Sequence, residues 1–207
     1  MTGTPSVLGL AASPLEVEAV LRAADGSTTR STATPADPSL PDAVWQAVLT
    51  ATRDVLDQGG VTPTRLGLGS ATPTCVMWDV ETLGCPLPLA AGSRLAPWLA
   101  EVARTSPRTL DLLREGQYAV GPLASYLLAR ATRGTFHVTD ATHAAALGPL
   151  PTGVPGGDLP ADCLPDLLPG GGVPLDARSF LGLDLVLTAL GADRDATDMA
   201  DLARQHP

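Results

Sequence analysis

Hydrophobic and polar positions alternate with a period of two at the start of the chain, then shift to helical spacing. Ser6–Ala11 (SVLGLA) is an apolar run of strand length. Across Leu15–Leu21, residues Leu15, Val17, Ala19 and Leu21 fall on one face and Glu16, Glu18 and Val20 on the other, the mark of a half-buried strand. Asp25-Gly26 offers a tight turn, because glycine accepts the positive φ a hairpin needs. Ser27–Thr34 reads as a third strand, polar enough for a sheet edge. Ser39-Leu-Pro-Asp42 reads as a helix start, with Ser39 as cap and Asp42 three residues on, as in a capping box. Val44, Val48, Ala51 and Val55 follow at helical spacing, and Gly59-Gly60 supplies the stop. Arg65–Gly69 (RLGLG) and Cys75–Trp78 (CVMW) read as two further strands, Met77 and Trp78 belonging to the core.

The middle of the chain is more helical. Leu95–Arg104, Pro107–Glu115 and Pro122–Thr132 are expected helices, and Thr139 or Asp140 is placed to cap another through Leu147. Residues 148–175 are rich in glycine and proline, with one expected turn of helix around Asp162–Leu167. Asp176–Leu190 is apolar at helical spacing (Phe180, Leu181, Leu185, Val186, Ala189), and the polar tail after Asp193 is expected to fray. The organisation expected is a domain over 1–150 and, over 151–207, a Gly/Pro-rich connector plus a C-terminal helix packed on that domain.

Composition narrows the function. A chain of 207 residues can bury a sizeable core. It carries 13 basic residues, all arginine, against 22 acidic ones, a net charge of −9. That balance argues against nucleic-acid binding, which needs a basic surface to displace counterions. The lack of lysine removes a phosphate-loop lysine, a Schiff base and a Ser–Lys dyad. The three cysteines (Cys75, Cys85, Cys163) have no metal-type spacing, and Cys75 and Cys85 read as small buried hydrophobes. With no basic leader and no apolar run near 18 residues, the expected location is the cytoplasm, away from membranes.

Few residues combine into reactive patterns. His137-x-x-Asp140-x-x-His143 has ligand-type side chains, but steps of three spread them around a helix and no fourth ligand is evident, so Asp140 reads better as a cap. Ser13, Ser70 and Ser93 lack a G-x-S-x-G elbow, and with three histidines a Ser–His–Asp triad has little support. The glycine runs at 153–157 and 170–172 lack a phosphate cradle's spacing and read as connectors. Asp193, Asp195, Asp198 and Asp201 read as solvated charge.

Three segments together resemble the N-terminal domain of the FGGY carbohydrate kinases, the group of glycerol, xylulose and gluconate kinases. VLGLAASPLEVEAVLRAADG resembles the family's opening hairpin. RLGLGSATPTCVMWDVETLGCPLPL resembles its strand–loop–strand with a "WD…TG.PL" ending. GPLASYLLARATRGTFHVTDATHAAALGPL resembles "D.WL…LTGG..HVTD..NAS…L", with Gly134, His137, Val138, Thr139, Asp140 and Thr142 in the expected order. The resemblance covers about residues 6–150. It implies an α/β, ribonuclease-H-like domain of the actin-like ATPase superfamily, with a mixed five-stranded sheet flanked by helices and a loop-rich C-terminal extension.

The departures from that pattern are chemical. Where the family has "LG.D.GT", with an acid that helps organise magnesium and the ATP phosphates, this chain has Leu8-Gly9-Leu10 followed by Ala11, Ala12, Ser13 and Pro14. Ser70, Thr72 and Pro73 stand in the family's sugar-contact loop, but Thr72-Pro73 cannot make a bidentate polyol contact. The "W.D.R" run is reduced to Ala91-Gly92-Ser93-Arg94. By the same resemblance Asp193, in Gly191-Ala192-Asp193, is the candidate general base, and the family's ATP-binding C-terminal domain has no counterpart in these residues. The leading expectation is a non-catalytic homologue that binds a sugar, a polyol or a protein partner, with no cofactor of its own. The first alternative is one half of a split ATP-dependent sugar kinase, with Mg-ATP entering only when a second domain or chain is present. The second is a homo-oligomer built on an exposed sheet face.

Overall fold

The structure is a computed structural model that describes residues 4–148, 158–169 and 172–205. It begins with a meander, β1 (Val7–Ala12), β2 (Val17–Arg22) and β3 (Thr28–Ala33), followed by α1 (Pro41–Gly59), β4 (Arg65–Ser70) and β5 (Thr74–Asp79). The middle comprises β6 (Ala90–Ala91), α2 (Leu95–Thr105), α3 (Pro107–Arg114), β7 (Tyr118–Pro122), α4 (Leu123–Ala131), β8 (Val138–Thr139) and α5 (Ala141–Leu147). After a 3-10 turn at Ala161–Cys163 come β9 (Asp166–Leu167), β10 (Val173–Pro174), β11 (Val186–Ala192) and α6 (Ala196–Gln205). The main sheet is six-stranded, in the order β10-β11-β4-β1-β2-β3. Strands β11, β4 and β1 run parallel, while β2, β3 and β10 pair antiparallel with their neighbours. The two-residue β10 adds one short edge to the five strands expected.

The pattern Leu8-Gly9-Leu10 on β1 and Leu66-Gly67-Leu68 on β4 builds the layers, because successive side chains point to opposite faces. The leucines go into the principal core with Val44, Val48 and Val55 of α1 and with Trp78 and Tyr126. The glycines face α6. A Cβ on Gly9 would lie 1.9 Å from the Ala196 carbonyl oxygen, and one on Gly67 would lie 2.1 Å from that of Met199. Helix α6 therefore rests on bare backbone, with Ala196, Met199, Ala200 and Ala203 buried beneath it. A smaller core forms where β5 and β7 meet α2 and α3, around Met77, Leu99, Leu110, Leu113 and Val120.

Several expectations change. Ser39 does not cap α1: its hydroxyl donates to Asp37 Oδ1 at 2.7 Å, and Leu40 holds the cap position with no side-chain bond. Asp42 does lie in the first turn, where Tyr126 donates to its carboxylate at 2.9 Å and Arg130 pairs with it. Gly60 ends α1 in the left-handed conformation, as expected. Strand β7 falls on Tyr118–Pro122, which carries no clear period. The expected helix over 176–190 is instead a series of turns leading into β11. Its apolar residues fit both periods. Pairing with β4 decides the outcome, burying Leu187, Ala189 and Gly191 in strict alternation. The tail does not fray, because its small residues dock α6 onto the glycine face. Helix α1 covers one face of the sheet, chiefly over β2 and β3, and α6 covers the other over β1 and β4. The connector residues 149–157 lie outside the described residues. None of the described helices is long and apolar enough to cross a membrane.

His137 illustrates the cost of burial. Its ring packs edge-on against Trp78 at 4.9 Å, and Nε2 is buried without a hydrogen-bond partner among the described residues. Burial pushes its pKa down to about 4. As pH falls through the ordinary histidine range the unfolded chain takes up a proton and the folded chain does not, so stability declines from about pH 6.5. The loss levels off below about pH 4. We expect His137→Phe to flatten this acid limb, as read by denaturant unfolding at pH 7 and 4.5. We also expect Gly9→Ala to destabilise the fold by about 3 kcal/mol, since the added methyl meets backbone rather than a movable side chain; the shift in urea midpoint measures it.

Candidate functional site

Strands β1, β4 and β11 end together, and ligands of open α/β sheets bind beyond such carboxyl ends. A cleft of about 330 Å³ lies there, lined by Ala11, Ala12, Ser13, Glu16 and Glu18 from the first hairpin, Ser70 and Ala71 at the end of β4, and Asp193, Arg194 and Asp195 after β11. Asp193 adopts a positive φ of 52°. Its N–H donates to the Ser70 carbonyl at 3.0 Å. Its carboxylate accepts from the Thr72 N–H at 2.8 Å and also from the Thr72 hydroxyl. The structure thus brings together Ser70, Thr72 and Asp193. Pro73 lines an adjoining groove of about 560 Å³, together with Thr72, Leu15, Pro38 and Leu89.

Three of the four carboxylates around the cleft, those of Glu18, Asp193 and Asp195, are already engaged. Glu18 takes the Arg30 guanidinium at 2.7 Å and, at 3.4 Å, the Ala196 N–H. Asp195 accepts from the Asp198 N–H at 2.8 Å, inside the first turn of α6. Asp193 is held through both oxygens by Thr72. The turn between β1 and β2 is closed by Ser13, whose hydroxyl accepts from the Leu15 and Glu16 N–H groups and donates to the Glu16 carbonyl. No group of three metal-ligating side chains comes together among the described residues.

A second constellation lies at the edge of the cleft. Asp140 caps α5, its Oδ1 accepting from the Thr142 N–H at 2.6 Å and the His143 N–H at 3.0 Å. Its Oδ2 meets His143 Nδ1, and His143 Nε2 lies 2.8 Å from Ser70 Oγ. Burial alone would raise the Asp140 carboxyl, but the hydrogen bonds and charge of His143, with the Thr142 N–H, outweigh it and hold the pKa at about 2. An ionised carboxylate only accepts, so Nδ1 carries a proton; in the neutral ring Nε2 accepts from the Ser70 hydroxyl, and in the imidazolium it donates to it. His143 is fully buried and Ser70 is 2% exposed.

This Ser–His–Asp arrangement was not legible from the serines, because Ser70 ends a strand rather than occupying a G-x-S-x-G elbow. The available signal lay in His143, which stands where the quoted family pattern has the asparagine of "NAS". His137 does not join Asp140 and His143: it sits under Trp78. The Cys75 and Cys85 thiols are both pushed up to about 12 by burial, which keeps them protonated and unreactive.

No protein-family model matches the chain, and no curated protein matches it in sequence. Solved structures do. Plasmodium falciparum glycerol kinase with ADP superposes with a TM-score of 0.72 at 12% identity, over 91% of this chain and 48% of the kinase. Xylulose kinase from Rhodospirillum rubrum gives 0.68 at 14% identity, over 91% and 50%. Gluconate kinase from Lactobacillus acidophilus gives 0.66 at 14% identity, over 91% and 48%. The chain spans about half the length of these kinases. It has the fold of the N-terminal half of the FGGY-type carbohydrate kinases.

Proposed function

We propose that this chain is a sugar-kinase-fold binding domain that takes a small polyhydroxylated ligand, a sugar or a polyol, in the cleft beyond β1, β4 and β11, and does not transfer phosphoryl groups by itself. One observation carries the reading: the carboxylate of Asp193, the candidate base, is clasped by Thr72. The first hairpin supports it, with Ala11, Ala12 and Ser13 where the family pattern has its phosphate-organising acid. Phosphoryl transfer rests on positioning and on neutralising charge at the transferred group, and a base already held by Thr72 supplies neither. The strand order, with three parallel strands flanked by the antiparallel β2 and β3, supports the ribonuclease-H-like assignment.

A second reading is favoured by the place of Asp193, fixed by its own backbone bond to Ser70 at the ends of the parallel strands. On that reading the chain is half of a split sugar or polyol phosphotransferase, Asp193 takes the proton of the substrate hydroxyl, and Mg-ATP arrives with a second domain or a partner chain.

Titration calorimetry of the purified chain separates the two. We expect heat of binding with at least one member of a panel of polyols and ketoses, and none with Mg-ATP. Mg-ATP binding to the chain alone, or ATP-dependent phosphorylation of a panel member that Asp193→Asn abolishes, overturns the binding-domain reading in favour of a kinase.

A further inference from the structure

The buried triad has a direction that a merely structural network does not need. Asp140 fixes the His143 ring through Nδ1 and turns Nε2 toward the Ser70 hydroxyl at 2.8 Å. A neutral ring can take the Ser70 proton at Nε2, and Ser70, though 2% exposed, is among the residues that line the cleft. We propose that Ser70 is an acyl-accepting nucleophile, with His143 as its general base and Asp140 as the positioning residue, acting on small activated esters that enter the cleft. The proposal is independent of sugar binding and stands or falls without it.

The step balances within the chain and one water. Ser70 Oγ forms a bond to the ester's carbonyl carbon while its proton passes to His143 Nε2. The bond from that carbon to the leaving oxygen breaks, and His143 returns the proton to the departing alcohol. Water then adds to the acyl carbon, giving its proton to His143. The acyl–Oγ bond breaks and Ser70 recovers a proton, so ester and water become acid and alcohol.

The surroundings set the substrate class. The Ala71 N–H donates to the Ala12 carbonyl at 2.9 Å and the Thr72 N–H to Asp193, so neither is free to receive an oxyanion. Arg194 is the cation on the cleft lining. One exposed guanidinium stabilises developing charge less than a pair of preorganised N–H donors. The reaction is therefore restricted to esters with good leaving groups and does not extend to amides.

The test is covalent capture of the whole chain by a fluorophosphonate at pH 8, followed by intact mass and peptide mapping. We expect a single adduct on Ser70, none in Ser70→Ala, and a labelling rate at least ~100-fold lower in His143→Gln and Asp140→Asn, the scale of a lost general base. The same variants should lose the hydrolysis of p-nitrophenyl acetate in proportion. An unlabelled Ser70 in the folded wild-type chain overturns the proposal, as does an adduct elsewhere or an unchanged rate in folded His143→Gln. Should a variant not fold, the wild-type adduct site decides.

Discussion

The close approach of α6 to the backbone of β1 and β4 is the constraint on which the rest of the molecule depends. Gly9 and Gly67 have no room for a side chain, since a Cβ at either would fall within about 2 Å of a carbonyl oxygen of α6. That contact fixes the height of α6 over the sheet, and with it the turn at Asp193–Asp195 that leads in from β11. The cleft inherits its shape from this turn. Asp193 holds a left-handed backbone so that its N–H meets Ser70 while its carboxylate faces Thr72. Packing on the far side of the sheet thus determines where the cleft's charges lie.

The legible part of the sequence was the part with one period. The alternation of Leu15–Leu21 and the helical spacing of Val44, Val48, Ala51 and Val55 gave the meander and α1 with ends displaced by a residue or two. The residues over 176–190 satisfied two periods, and only the edge of β4 as a partner selects the strand. The tail looked polar because α6 buries alanines and one methionine rather than leucines, a choice that makes sense only opposite glycine. Ser39 and Asp42 matched a capping box in spacing, yet Tyr126 and Arg130, more than eighty residues away, take the aspartate.

The candidate site divides in the same way. Thr72, Ser70 and Asp193 were found through a family pattern, and the fold brings them into one cluster. The resemblance said nothing of their bonds to one another, because these follow from residues in which this chain departs from the pattern. Ser70–His143–Asp140 joins a strand end to a helix cap across 73 residues, a distance no local motif spans.

The position of β11, between β4 and the two-residue edge strand β10, has a consequence for how the molecule comes together. It pairs with β4, yet the chain between Ser70 and Val186 must form the β5–β7 layer and four helices first or alongside it. Such a long loop closes slowly, because non-local pairing rewards the chain only after its entropy of closure has been met. Until residues beyond 190 are present, β4 keeps an open edge and the glycine face of β1 stays wet. During synthesis the nascent domain is consequently a half-sheet with an unpaired parallel edge, a state that invites capture by a chaperone or by another strand before its own arrives.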